Sequence, residues 1–255
     1  MPLTWFEFTF HGGKSMRANT LLTPAVLWLV AVCCVGCDAT TTVEQRRDPP
    51  TACAAPGAEV AQPRSVGEAV EAINAMSQPV TLDCFLESLQ RPLSMAATAS
   101  ARSVQPAVGA RSPRVFILSG DLVMSVATAG NGIELLEFGE FVEPTHSVKA
   151  EIHFPVEEPL AATAPFTRVG DEQGTACRFC HADETKIDDP YNGYAFASGA
   201  LQPSGIDRVS VADLRAESES CDASAEPVRC ARLDALFGHG LVVSGTFPPG
   251  VPTSP

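Results

Sequence analysis

Apolar positions recur along this chain with two different periods, and the change of period outlines the fold. Val66, Val70, Ile73 and Met76 return at helical spacing, and Ser65 lies three residues ahead of Glu68, the spacing of a capping box. A helix is therefore expected to start just after Ser65, with a short second helix over residues 83–89. The period then drops to two. Strands are read over residues 115–118 and 122–127, joined by Ser119-Gly120-Asp121, a hairpin signal in which glycine supplies positive φ. A third strand fits residues 132–138. In the fourth, Val148, Ala150, Ile152 and Phe154 alternate with Ser147, Lys149, Glu151 and His153, so one face is buried and His153 points outward. Helical spacing returns over residues 211–217 and 225–237. In the second of these, Ser224 is read as the cap, Pro227 falls in the first turn, and Gly238 is the terminator. Cys230, Leu233 and Phe237 form its apolar stripe. A last strand is expected over residues 241–247. Residues 91–113, rich in Ala, Ser and Pro, show no period and read either as a long loop or as irregular edge strands. The class that follows is α+β: an antiparallel β-sheet core, short flanking helices, and a disulfide- or haem-bearing loop region.

The N-terminal part has a different character. Residues 21–36 read LLTPAVLWLVAVCCVG, an apolar run too short, and too interrupted by Thr23 and Pro24, for a spanning helix of about 20 residues. It reads as the core of a signal peptide over residues 1–36, preceded by Lys14 and Arg17. Translation from Met16 would give the tidier signal, with Arg17 as its charged end. The run closes on Val35-Gly36-Cys37, which resembles the lipobox of bacterial lipoproteins. That resemblance implies cleavage before Cys37 and acylation of Cys37. It also implies a membrane partner reached through the lipid, since each buried methylene adds about 0.8 kcal/mol. A conventional cleaved signal and a buried apolar helix are the other readings of the run. The remainder of residues 37–64 is small, polar and proline-containing, and reads as a flexible tether. Residues 65–255 are read as a single globular domain. The expected address is the bacterial cell envelope, outside the cytoplasm.

Charge narrows the partners. Against 30 Asp and Glu residues the chain has 17 Lys and Arg, a formal charge of −13. No basic surface is left to neutralise phosphates, so nucleic acid is not expected as a partner. An envelope protein is.

The candidate chemistry is concentrated in Thr175–Glu184, TACRFCHADE, where Cys177, Cys180 and His181 form C-x-x-C-H. The motif resembles the haem attachment site of c-type cytochromes. The resemblance implies haem c as cofactor, thioether bonds from Cys177 and Cys180, and iron ligation by His181. All five methionines precede the motif, and His239 is the one histidine downstream of it. His239 is thus the candidate distal ligand, although a histidine just past a helix end is also explained by the helix dipole. Other readings of the motif stay open: structural disulfides, a zinc or other metal site, and a thioredoxin-like dithiol. Zinc would need a further ligand from Cys221, Cys230 or His239. Six cysteines follow Cys37, and Cys221–Cys230 and Cys53–Cys84 are the expected disulfides of an exported chain. Asp188, Asp189, Asn192 and Gly193 hint at a calcium loop, but Pro190 and Gly199 occupy ligand positions, so an acidic turn is the better reading. His146 and His153 read as surface residues, and no nucleophile and base can be paired. The sequence thus suggests a lipid-anchored extracytoplasmic protein with one c-type haem for electron transfer or redox sensing. Its alternative is a disulfide-stapled structural or binding lipoprotein of the envelope with no cofactor.

Overall fold

The computed structural model describes residue 53 and residues 62–103, 105–187 and 194–254. The signal segment, the lipidation candidate Cys37, most of the tether, and the acidic turn at Asp188, Asp189, Asn192 and Gly193 lie outside the described residues.

The chain begins with α1 (Val66–Asn74) and α2 (Leu82–Ser88). The Ser65 hydroxyl accepts from the Glu68 amide at 3.1 Å, as the capping box predicts, but the Glu68 carboxylate turns back to the Arg64 amide at 2.6 Å instead of to Ser65. Thr81 caps α2 in the same way. Five strands follow: β1 (Leu93–Thr98), β2 (Arg114–Ser119), β3 (Leu122–Ala127), β4 (Leu135–Glu143) and β5 (His146–His153). Beyond α3 (Ala164–Val169) come a small hairpin, β6 (Gly170–Asp171) with β7 (Gly174–Thr175), and then β8 (Thr185–Lys186) and β9 (Phe196–Gly199). The last elements are β10 (Arg208–Val209), α4 (Val211–Glu219), α5 (Pro227–Phe237) and β11 (Val242–Ser244).

Nine of these strands form one sheet in the order β10-β1-β2-β3-β4-β5-β9-β8, with β11 also on β1. All its ladders are antiparallel except that of β1 with β11. This is the α+β class expected from the sequence. The β2–β3 hairpin turns at Gly120 with φ of +63°, which a side chain would strain. One sheet face carries Met95, Ile117, Met124, Leu136, Ala150 and Ile152, and the helices pack there through Ile73, Phe85, Leu214 and Leu233 in one buried core. The opposite face has a smaller apolar cluster: Phe247, from the C-terminal segment, packs with Ala96, Val123, Phe116, Leu118 and Phe141. Its ring meets Phe116 edge-on with centroids 5.4 Å apart.

Where elements differ from the sequence reading, local causes are visible. The aperiodic stretch 91–113 contains β1, an interior strand that is buried almost throughout and therefore shows no alternation. The strand expected from residue 132 begins only at Leu135, after Gly130 and Gly132 turn the chain with φ of +78° and +74°. The last strand is shorter than expected and ends at Ser244, after which the Gly245 amide donates to the Met95 carbonyl at 2.7 Å and its backbone packs against Ser94 and Leu118 with no space for a side chain. Ser224 is not the cap of α5. Its hydroxyl bonds the Asp222 carboxylate at 2.6 Å, and the helix starts later, at Pro227, where the missing N–H costs nothing.

Two disulfides are formed, Cys53–Cys84 and Cys221–Cys230, the two pairs expected from the sequence. Two buried arginines tie α5 to the rest of the fold. Arg232 pairs with Asp83 and donates to the Ala127 and Ile133 carbonyls, both at 2.9 Å. Arg229 reaches Ser112, the Arg111 carbonyl and Glu217.

Candidate functional site

The C-x-x-C-H motif follows β7 as a single 3₁₀ turn, residues Ala176–Phe179. Thr175 sets up the turn: its buried hydroxyl accepts from the Cys177 amide at 3.1 Å and donates to the Glu184 carboxylate, which also accepts from the Thr175 amide at 2.9 Å. The Cys177 carbonyl then accepts from both the Cys180 and His181 amides, at 3.0 and 2.9 Å. These two hydrogen bonds to one carbonyl hold the three motif residues in a fixed relation. The loop is fastened to the sheet at β9, where the Gly199 amide donates to the Ala182 carbonyl at 2.8 Å.

The second tie to β9 determines the chemistry of the imidazole. His181 Nδ1 lies 2.8 Å from the Gly199 carbonyl oxygen, which can only accept. Nδ1 therefore carries the proton and Nε2 keeps its lone pair. Burial pushes the His181 pKa down to about 4, helped by the Lys149 and Arg114 cations and opposed by the Gly199 bond, so the ring is neutral at pH 7. Burial likewise raises the Cys177 pKa, against the lowering effect of the Thr175 hydrogen bond, and Cys177 stays a thiol. Cys180 is exposed. Between them, Phe179 projects into solvent, 84% exposed, with the Arg178 guanidinium 5.9 Å from its ring centroid.

Beneath the motif, the outer face of the sheet is polar yet largely covered. Arg114 forms an ion pair with Glu137 and donates to Ser125 at 2.8 Å. Lys149 donates to Ser147 at 2.6 Å, and burial pushes its pKa down to about 8. The alternation along β5 places Lys149 on the side away from the core, correctly, but gives no sign that the motif loop folds over it. Residues far along the chain bring that cover, and no local pattern around Lys149 encodes it.

The candidate residues are thus partly gathered. Cys177, Cys180 and His181 sit together, and Cys177 and Cys180 are the free cysteines among the described residues. Cys53, Cys84, Cys221 and Cys230 are tied up in disulfides elsewhere. Neither Cys221 nor Cys230 therefore offers a thiolate to a metal at the motif. His239 follows the end of α5, with Nε2 3.8 Å from both Glu87 and Asp234. It leads into β11 at the β1 side of the sheet, whereas the motif is attached at β9, with β1 through β5 intervening. The fold does not bring His239 to His181. Met76, Met95 and Met124 are buried in the core, and no cluster of three or more His, Cys, Asp or Glu residues suited to a metal ion is found among the described residues. His153 is exposed, 3.4 Å from Glu134, and His146 lies 3.7 Å from Glu143. Among the described residues, no helix is long and apolar enough to cross a membrane. Compared with known proteins, the chain matches no family model, no curated protein and no solved structure.

Proposed function

We propose that this chain is a lipid-anchored extracytoplasmic bacterial protein that carries one c-type haem on Cys177, Cys180 and His181, for electron transfer or redox sensing. One observation carries the reading: two thiols left unpaired while the other four described cysteines are bonded, next to a neutral imidazole whose Nδ1 is held by a backbone carbonyl. The donor set suits the group. Two free sulfurs can each form a thioether, and His181 presents Nε2 as a ligand while Gly199 fixes its ring, the arrangement that raises ligand basicity and sets orientation. When bound, haem would supply a reversible one-electron change. The protein's own part is to hold the turn through Thr175 and Glu184, and to keep the imidazole neutral with Nε2 unprotonated. His239, the candidate second ligand, lies at the β1 side of the sheet and would not hold the group together with His181.

The test is expression of the full chain in a bacterium with cytochrome c maturation, followed by a pyridine haemochrome spectrum of the purified protein. Covalent haem in the wild type, absent from the C177A/C180A variant, is the expected result. A colourless wild-type protein overturns the reading.

The two disulfides favour a second reading, in which the same lipid-anchored domain is a stapled binding module of the envelope without a cofactor. A colourless protein in which Cys177 and Cys180 are oxidised to each other would support it.

A further inference from the structure

Lys149 is 7% exposed, yet no carboxylate among the described residues is within ion-pair distance of its Nζ. Its hydrogen bond to Ser147 uses one of three N–H donors. The neighbouring cation, Arg114, is already matched by Glu137, so one positive charge is left over in this covered patch. Cys177, which acts electrostatically on Lys149, is kept a neutral thiol by burial and does not supply the missing charge. Directly opposite Ser147 in the β5–β9 register stands Ser198, which is fully buried and whose hydroxyl has no hydrogen-bond partner. Gly139 faces Lys149 across the β4–β5 ladder. A Cβ there would lie 3.2 Å from the Ser147 hydroxyl, tighter than ordinary contact, so the glycine lets the Ser147 side chain lie close against β4.

A buried ammonium without a counter-charge and a buried hydroxyl without a partner are both unfavourable. Here they flank the same residue, Ser147. We propose that Lys149, Ser147 and Ser198 form a seat for one carboxylate under the Cys177–His181 loop. A carboxylate can accept from the ammonium with one oxygen and from a serine hydroxyl with the other, in short charge-assisted hydrogen bonds. The single uncompensated charge favours a monoanion over a dianionic phosphate. The carboxylate is either a free small acid or one borne by a group attached at the motif. The seat does not depend on the haem reading.

The experiment uses the full chain, purified in detergent from a host without haem-attachment machinery. Its unfolding midpoint is measured in sodium formate against sodium chloride at equal ionic strength, for the wild type, K149M and S198A. Formate at about ten times its Kd is expected to raise the wild-type midpoint by about 3 °C, while K149M shows no such rise and S198A a smaller one. Equal midpoints of the wild type in the two salts, or the same formate response in all three proteins, overturn the proposal. Should K149M fail to fold, an undiminished response in S198A overturns it alone. If haem attaches, the titration is repeated on the loaded protein. A formate response that disappears supports the seat with the attached group's carboxylate as occupant, and one that persists supports it with a free anion. Failure of haem to attach leaves the first titration unaffected, so the two readings fail separately.

Discussion

Protonation of His181 is expected to weaken the chain that carries no bound group. Free histidine titrates near 6.5, whereas burial holds His181 at about 4. Between these values the unfolded chain binds a proton that the folded chain refuses, so stability rises with pH across this window and falls as the pH is lowered through it. Above pH 7 neither state is protonated and no penalty applies. Below pH 4 both are, and the full penalty is present. At 1.36 kcal/mol per unit, the shift corresponds to about 3 kcal/mol, an upper figure because water reaches part of the ring. Most of the loss should therefore fall between pH 6.5 and 4. Urea unfolding of the wild type and H181Q, measured at intervals from pH 7.5 to 4, isolates the effect, because carboxylates that titrate in the same range are common to both proteins. The wild type should lose about 2 to 3 kcal/mol more than H181Q over that range. Equal losses would show that His181 is not buried against β9 and that its Nε2 is not held neutral through this pH range.

Lys149 should show a matching effect at alkaline pH. Its pKa falls from 10.5 to about 8, so between those values the unfolded chain holds the extra proton, and the wild type should gain up to about 3 kcal/mol relative to K149M as the pH rises through the window. A constant difference between the two proteins from pH 7.5 to 10 would refute this. Replacing Cys221 and Cys230 by serine opens a bond with a sequence separation of 9, and chain entropy sets the loss at about 2 to 3 kcal/mol. It is read as a lower denaturant midpoint, and an unchanged midpoint would mean that the bond is absent or strained. Arg232→Met leaves Asp83 unpaired and takes the Arg232 donor from the buried Ala127 carbonyl and the half-buried Ile133 carbonyl. It should cost about 3 to 5 kcal/mol, measured by thermal or urea unfolding, and a loss under 1 kcal/mol would count against the buried pair.

The sequence is legible wherever one face of an element is solvated. Residues 147–154 alternate cleanly because β5 has a core side and an outer side, and α1 is visible because its apolar stripe faces the core. Pairing of Cys221 with Cys230 could be read because the two residues are near neighbours in the chain. Legibility ends where burial is two-sided. β1 is buried on both faces and lacks a period, so the interior strand that receives β2, β10 and β11 could not be found from pattern alone. The cap of α5 is illegible for another reason: Ser224 satisfies its hydroxyl within its own turn, on Asp222, and lies three residues before the helix begins at Pro227.

The same limit explains the site. The order of residues in C-x-x-C-H specifies which groups are adjacent, but the properties of those groups come from elsewhere in the chain. Gly199 selects the His181 tautomer through a backbone carbonyl, a group that every residue carries and that no side-chain pattern announces. Lys149 and Ser198 lie on strands whose outward side would ordinarily be hydrated. The cysteine loop, fastened to β9, shields that side near the motif, and the C-terminal segment with Phe247 covers another part of it. Cover of this kind carries no helical or strand period, so it leaves no trace in the alternation of β5. It does change the physics of what lies below: an imidazole that would be half-charged near pH 6.5 is kept neutral, and a lysine that would be solvated is left short of a counter-charge. A chain whose outer sheet face were open to water would lose both properties while retaining every residue of the motif. The chemistry of Cys177, Cys180 and His181 therefore depends on the loop staying docked. Cutting its tie to β9, for instance by Gly199→Pro, which removes the amide bonded to Ala182, should return the His181 pKa towards 6.5 in an NMR titration. A pKa that stayed near 4 in that variant would show that the strand contact is not what keeps the ring dry.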